Sequence, residues 1–117
     1  MNMLSLEQEL KDLAEELGIE PYVEFVGYVP YDDVRAKLQE SDVFVLPSWY
    51  EAFGCVYLEA MACGLPAIGC RGNGIDEVII HGQTGYLVEN KSLEQLTNCM
   101  ECLLDQATRQ QIGKAAR

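Results

Sequence analysis

The segment Glu51-Ala-Phe-Gly-Cys-Val-Tyr-Leu-Glu59-Ala-Met-Ala-Cys-Gly-Leu-Pro66 decides how the rest of the chain is interpreted. It places two acidic residues eight positions apart, Glu51 in a loop after a predicted strand and Glu59 inside the helix predicted from about Cys55 to Cys63. Gly54, where the chain enters that helix, allows a ligand to approach the backbone, and a helix N-terminus directs unpaired N–H groups toward an anion. This combination favours a phosphorylated ligand that also carries hydroxyl groups.

Predicted strands alternate with predicted helices along the chain. Val43–Leu46 is a run of four apolar residues, which is typical of a central strand buried on both faces. Such alternation predicts an α/β fold, with a Rossmann-like, mostly parallel sheet of about four strands flanked by helices. The other predicted strands are Tyr22–Val26, Leu65–Gly69 and Tyr86–Val88.

Helices are predicted where apolar residues recur every three or four positions. Ser5 with Gln8, and Ser92 with Gln95, match the capping box that begins a helix. Gly18 is expected to end the first helix. The predicted helices cover about residues 5–17, 30–41, 55–63, 75–80 and 92–104, and the segment from about 108 onward.

The composition limits the classes of protein that this chain can represent. A length of 117 residues with 49% hydrophobic and 23% charged residues indicates a single globular domain. The net charge of −11, with only eight Lys and Arg residues, argues against a nucleic-acid partner. No apolar run reaches the length of a membrane span, and we expect no signal peptide at the N-terminus.

The five cysteines indicate a cytoplasmic protein with reduced thiols, because their number is odd and three lie in apolar segments. Cys99 and Cys102 form a C-x-x-C motif. It lies in the middle of a predicted amphipathic helix and has no second pair, which argues against a metal or redox site.

Glu59 is unusual because the residues around it on the predicted helix are small or apolar. A carboxylate in such surroundings needs a partner. Glu59 either has a structural role, in which it bonds to a backbone N–H or lies at a domain edge, or it accepts hydrogen bonds from the hydroxyl groups of a ligand. Two vicinal hydroxyls suit the two oxygens of one carboxylate. The residues alone leave these alternatives equally open.

Other candidate residues also have a structural alternative. Glu51 either points toward the ligand at the helix N-terminus or is a solvated loop acid, and Gly54 either admits a phosphate or only makes a tight turn. His81, beside Gly82, is interpreted as a helix-stop residue rather than a base. Gly72-Asn-Gly74 lacks the third glycine of a dinucleotide-binding fingerprint, which argues against that motif.

Five segments together resemble the donor-binding domain of GT-B glycosyltransferases, most closely the retaining group 1 (family 4-like) enzymes. The resemblance covers nearly the whole chain, and the two acids with their flanking glycines and proline are its most specific part. The segments are Ser41–Ser48, Glu51–Gly54, Leu58–Pro66, Gly72–Val78 and Gly82–Val88.

The resemblance implies a hexose transfer from a UDP-, GDP- or ADP-linked sugar to an acceptor, with retention and without a metal or cofactor. It assigns Glu51, the catalytic candidate, to hydroxyls of the transferred sugar and Glu59 to the ribose hydroxyls. The turn before the helix approaches the sugar and the diphosphate, and a strand-end loop lies near the base. The implied donor-binding residues are Gly27, Tyr28, Val29, Phe53, Gly54, Cys55, Val56 and Glu59.

The resemblance also implies that residues 1–117 are a single partial domain. The family's donor domain begins with two further strands, which carry an arginine and a lysine that grip the diphosphate, and a separate N-terminal domain binds the acceptor. We therefore expect the isolated chain to be inactive. Tyr22–Val26, without those neighbours, is expected to pair with Val43–Leu46, to pair with another chain in a homodimer, or to leave an exposed edge.

The alternative function is a non-catalytic nucleotide-binding or oligomerising module. Glu59 discriminates between the two functions, because its loss abolishes nucleotide binding if it holds ribose and changes only stability if its role is structural. A hydride-transferring enzyme is a more distant alternative, since the glycine fingerprint is missing.

Overall fold

A computed structural model describes residues 3–27, 29–46, 54–72, 78–89 and 91–117, without the side chains of residues 3–6, 54 and 55. The chain divides into two compact units, one up to Pro30 and one from Tyr31 onward. The prediction that residues 1–117 form a single partial domain stays a prediction.

The first unit contains helix α1, Met3–Glu16, and a short 3₁₀ turn at Glu20–Tyr22. Gly18 follows α1 with a φ of +71°, a left-handed conformation typical of the residue after a helix. The predicted capping box at Ser5 is wrong, because α1 begins at Met3 and Ser5 lies inside it.

The predicted strand Tyr22–Val26 is not formed within the described ranges. Val23 has extended backbone angles, with φ −119° and ψ 124°, but no described residue pairs with this segment in a ladder. The β-branched and aromatic residues of the segment suit a strand, yet a strand also requires a neighbour that supplies hydrogen bonds. The proposed homodimer through this segment stays a prediction.

The second unit is built on a parallel sheet, which confirms the predicted α/β class. Its strands are β1, Phe44–Leu46, β2, Ala67–Cys70, and β3, Tyr86–Val88, in the order β1-β2-β3. All four residues of β2 are buried, as expected of a strand with a neighbour on each side and helices on each face. The described residues thus form three of the four predicted strands. The prediction that Val43–Leu46 is a central strand buried on both faces is wrong for the described sheet, because β1 lies at its edge, is half-buried and has a described neighbour only in β2.

Within the described part of this unit, four helices accompany the sheet: α2, Tyr31–Gln39, α3, Gly54–Ala62, α4, Leu93–Cys102, and α5, Gln106–Ala116. Ser92 caps α4 as predicted, since its hydroxyl oxygen accepts from the Gln95 N–H at 3.2 Å. Asp105 caps α5, and its hydrogen bonds from the Thr108 hydroxyl and N–H lower its pKa. Half of the helix predicted at 75–80 lies outside the described residues, and the described half, 78–80, is not helical.

Alternate residues of the strands contribute to two core clusters on opposite faces of the sheet. One cluster joins the sheet to α3, and the other joins it to α4 and α5. The members of the first are Tyr57, Met61, Ala67, Ile79 and Leu87. The members of the second are Ile68, Cys70, Val88, Cys99, Leu103 and Ile112.

Side chains satisfy two backbone donors of β3 and of the residue that follows it. The Leu87 N–H donates to His81 Nδ1 at 2.9 Å, and the Glu89 N–H donates to Gln95 Oε1 at 2.7 Å. These donors are two residues apart, so they lie on the same edge of the strand, and Arg71 N–H bonds to Val88 on the opposite edge. His81 is thus a structural acceptor, which agrees with a role other than that of a base.

We expect Gly113→Ala to destabilise the chain, although Ala is normally about 1 kcal/mol better than Gly in a helix. Gly113 is buried in α5, and an added Cβ would overlap the Gly64 carbonyl oxygen at the end of α3. Overpacking against backbone costs about 1–3 kcal/mol. Urea unfolding measures the net loss, with Gln111→Ala on the exposed face of α5 as the matched control. Equal or greater stability of Gly113→Ala would contradict this packing.

We also expect Tyr57 to make the stability of the chain depend on alkaline pH. Burial, followed by the nearby Cys70, raises the pKa of Tyr57 from 10.0 to about 12. The contribution of Tyr57 to the free energy of unfolding is fully present below pH 10 and is lost as the pH rises through 12, because folding favours the protonated phenol. The free energy of unfolding should therefore fall more steeply over this window in the wild type than in Tyr57→Phe. Parallel pH profiles would show that Tyr57 does not contribute.

Candidate functional site

Helix α3 begins at Gly54, at the position where the sequence predicts an anion-binding helix N-terminus. The N–H groups of the first turn, including those of Cys55 and Val56, have no acceptor within the helix. Two other predicted site residues, Glu51 and Phe53, lie outside the described residues. The structure therefore places the start of the helix but not the loop that precedes it.

Tyr57 fixes α3 against the carboxyl end of β1. Its hydroxyl donates to the backbone carbonyl of Leu46, the last residue of the strand, and its ring meets Phe44 edge-to-face with centroids 5.4 Å apart. Ligands of parallel α/β sheets bind beyond the carboxyl ends of the strands. Tyr57 thus holds the N-terminal half of α3 at the end of the sheet where a ligand is expected.

Glu59 lies one and a half turns into α3 and is half-buried. The Tyr31 hydroxyl, at the first residue of α2, donates to Glu59 Oε1 at 3.1 Å. This contact supplies the partner that the sequence required for Glu59, but Tyr31 is not among the residues predicted for the site. The sequence shows only that Tyr31 follows Pro30 in the first turn of a predicted helix. Local periodicity does not connect it with Glu59, which lies 28 positions away.

An open cleft of about 500 Å³ lies between α2 and α3 beside this pair. Tyr31, Arg35 and Gln39 line its α2 side, and they follow one another at the four-residue spacing of a helix face. The cleft has both signs of charge, so it suits a ligand that carries hydroxyl donors and anionic or carbonyl acceptors. The remaining lining residues are Asp32, Glu59, Ala62, Cys63 and Arg117.

Two further predicted site residues that the structure describes lie in the first unit. Gly27 has a φ of +68°, a conformation that favours glycine, and Val29 is half-buried. Tyr28, between them, lies outside the described residues. Gly54, Val56 and Glu59, by contrast, all belong to α3 in the second unit.

Arg71, the cation that follows β2, is engaged with an acid. Its Nε lies 3.5 Å from Glu89 Oε1, beyond the carboxyl ends of β2 and β3. Both side chains are substantially exposed, so the pair is a weak constraint. Breaking this pair costs little free energy, so Arg71 is able to bind another anion in place of Glu89.

Cys63, Cys70, Cys99 and Cys102 are free thiols, and burial is the main cause that raises the pKa values of Cys70 and Cys99. Among the residues that the structure describes, no three His, Cys, Asp or Glu side chains are grouped so as to hold a metal ion. Transfer without a metal stays a prediction, as does a cytoplasmic location. None of the described helices combines the length and apolar character needed to cross a membrane.

Comparison with known proteins places this chain in a family. Residues 5–117 match the family model for glycosyl transferases group 1. N-acetyl-alpha-D-glucosaminyl L-malate synthase of Bacillus anthracis is 43% identical over 106 residues, which cover 90% of this chain. They cover only 27% of that relative, so the chain spans about a quarter of its length.

Solved structures show the same fold. The C-terminal domain of a glycosyl transferase group 1 protein, LpcC from Francisella tularensis, matches 97% of this chain and 59% of that domain structure, with a TM-score of 0.88 and 28% identity. Anabaena Alr3699/HepE, in complex with UDP-glucose, matches 99% of this chain and 32% of its own chain, with a TM-score of 0.86 and 28% identity. The chain therefore belongs to the glycosyl transferases of group 1, and its α/β architecture is that of part of a GT-B C-terminal domain.

Proposed function

We propose that this chain binds a nucleotide diphosphate sugar, and that Glu59 accepts hydrogen bonds from the ribose hydroxyls. One observation carries the proposal: in a chain of this family, the Glu59 carboxylate lies on a cleft large enough for a nucleoside. A carboxylate accepts from both hydroxyls of a vicinal diol. The similar Anabaena protein in complex with UDP-glucose supports a sugar nucleotide as the ligand.

The N-terminus of α3 is proposed to face the diphosphate. The first-turn N–H groups of Gly54, Cys55 and Val56 carry the positive end of the helix dipole, which stabilises the charge that develops on a leaving diphosphate. Glu51 and Phe53, in the preceding loop, are proposed to contact the transferred sugar. Residues 27–29 are proposed to lie near the base.

In the whole protein, we propose that a hexose is transferred from the nucleotide diphosphate to an acceptor with retention at the anomeric carbon. The group 1 family supports a transferase, and this chain spans 27% of the Bacillus anthracis relative. We propose that the whole reaction uses residues beyond the part of that relative that this chain matches. Charge stabilisation of the leaving group without a metal is the proposed source of catalysis. Following the configuration of the product anomeric carbon by NMR tests retention.

A non-catalytic module is the second candidate, and one observation favours it. The hydrogen bond from Tyr31 gives Glu59 a partner within the chain, as a purely structural acid would have. In that case Glu59 contributes to the packing of α2 against α3 and has no role toward a ligand. The two candidates differ in whether a change at Glu59 affects nucleotide binding.

We expect Glu59→Gln to weaken nucleotide binding by about tenfold or more, because hydrogen bonds to a charged acceptor are worth about 1.5–3 kcal/mol. Calorimetric titrations of UDP, GDP and ADP against the wild type and the variant measure the change. Glu101→Gln, an exposed acid on α4, is the matched control. Equal affinities in the presence of a folded variant would favour the structural role.

We expect residues 1–117 alone to show no sugar transfer, although they bind nucleotide. The cleft beside Glu59 is a binding feature, whereas the reaction also requires an acceptor and a grip on the leaving diphosphate. Incubation with UDP-, GDP- and ADP-hexoses and assay of released nucleoside diphosphate test this expectation. Release above the rate of uncatalysed hydrolysis would contradict it.

A further inference from the structure

We propose that Tyr31 is a positioning residue that holds the Glu59 carboxylate in the orientation needed to accept both hydroxyls of a ribose. The inference rests on the proposed function of Glu59 and adds the residue that sets its geometry. It starts from one contact, the hydrogen bond of 3.1 Å from the Tyr31 hydroxyl to Glu59 Oε1. Tyr31 then acts through Glu59 and confers a preference for ribonucleotides.

The acceptor capacity of the carboxylate permits this role. Two carboxylate oxygens have about four lone-pair sites, and the Tyr31 hydroxyl uses one of them. A vicinal diol needs two more, one on each oxygen. Glu59 can therefore bind Tyr31 and the diol at the same time, so Tyr31 is a support for the ligand site and not a competitor.

Without Tyr31, the orientation of the Glu59 carboxylate would not be fixed. The terminal torsion of a glutamate is broad, so an unsupported carboxylate samples many planes relative to its ligand. Tyr31 anchors one oxygen from a different helix, α2, while the Glu59 backbone is fixed in α3. A group held before the ligand arrives loses less conformational entropy on binding.

The surroundings of Tyr31 indicate a role toward a ligand more than toward the fold. Tyr31 is 76% exposed, whereas Tyr57, which joins α3 to the sheet, is 4% exposed. Tyr31 and Glu59 line the same cleft, together with Arg35 one turn farther along α2. A tyrosine with this exposure contributes little buried area to folding, so its pairing with Glu59 is best explained by the site.

The test compares Tyr31→Phe with the wild type, alone and in combination with Glu59→Gln. The probes are UDP, GDP and ADP, and for each nucleotide that binds, its 2′,3′-dideoxy analogue, which lacks the diol. Tyr86→Phe is the matched control, because it removes a hydroxyl from a tyrosine of the same unit that does not line the cleft. Circular dichroism verifies that every variant is folded.

We expect Tyr31→Phe to raise the Kd for the ribonucleotide about three- to tenfold, the range of one ordinary hydrogen bond. The Kd for the dideoxy analogue should stay unchanged, and the loss should disappear in the Glu59→Gln background, since the two residues act on the same hydroxyls. A purely structural role for Tyr31 would instead weaken both nucleotides equally.

The remaining outcomes separate this inference from the proposed function. If Glu59→Gln weakens ribonucleotide binding and Tyr31→Phe does not, the positioning role is overturned and the proposed function stands. If the folded wild type binds none of the three nucleotides, or binds them with affinities that Glu59→Gln does not change, the proposed function is overturned and the positioning role with it.

Discussion

The hydrogen bond from the Tyr57 hydroxyl to the Leu46 carbonyl is the constraint on which the site depends. It joins the middle of α3 to the last residue of β1, and the buried Tyr57 ring extends this attachment into the core through Phe44. Because a helix is rigid over two turns, fixing Tyr57 also fixes the direction of the helix N-terminus and the side on which Glu59 emerges. Both proposed ligand contacts of α3 therefore follow from one attachment.

Helix α3 has a buried side and a side that borders the cleft. Tyr57, Ala60 and Met61 are buried against the sheet or against α2, whereas Glu59 and Ala62 border the cleft. On the cleft side, the small side chain of Ala62 leaves the space beside Glu59 open. The packing of the buried side stabilises the helix and so compensates for the half-buried acid. The oddity of Glu59 in the sequence thus reflects its position at the boundary between these two sides.

Much of the fold could be predicted from the sequence because its signals are local. The apolar run Val43–Leu46 and the N-cap at Ser92 each depend on a few consecutive residues, and the structure has a strand at Phe44–Leu46 and a helix that begins after Ser92. The place of that strand, half-buried at an edge of the described sheet and not at its centre, depends on long-range pairing that the run does not encode. The Tyr22–Val26 prediction failed because a strand needs a neighbour as well as suitable residues. Tyr31 was missed for a related reason, since its contact with Glu59 joins two helices and leaves no periodic trace in either. The role of His81 as an acceptor for β3 likewise depends on the fold.

Because of the two side-chain acceptors along β3, the two edges of the described sheet differ in their ability to add another strand. A strand that arrives from another molecule extends a sheet by accepting hydrogen bonds from unpaired N–H groups at an edge. His81 and Gln95 already occupy the donors of Leu87 and Glu89, so these two side chains substitute for a strand and terminate the sheet on that side. Within the described sheet, addition of another strand is therefore directed toward β1, and the β3 edge is protected against the intermolecular pairing that leads to aggregation.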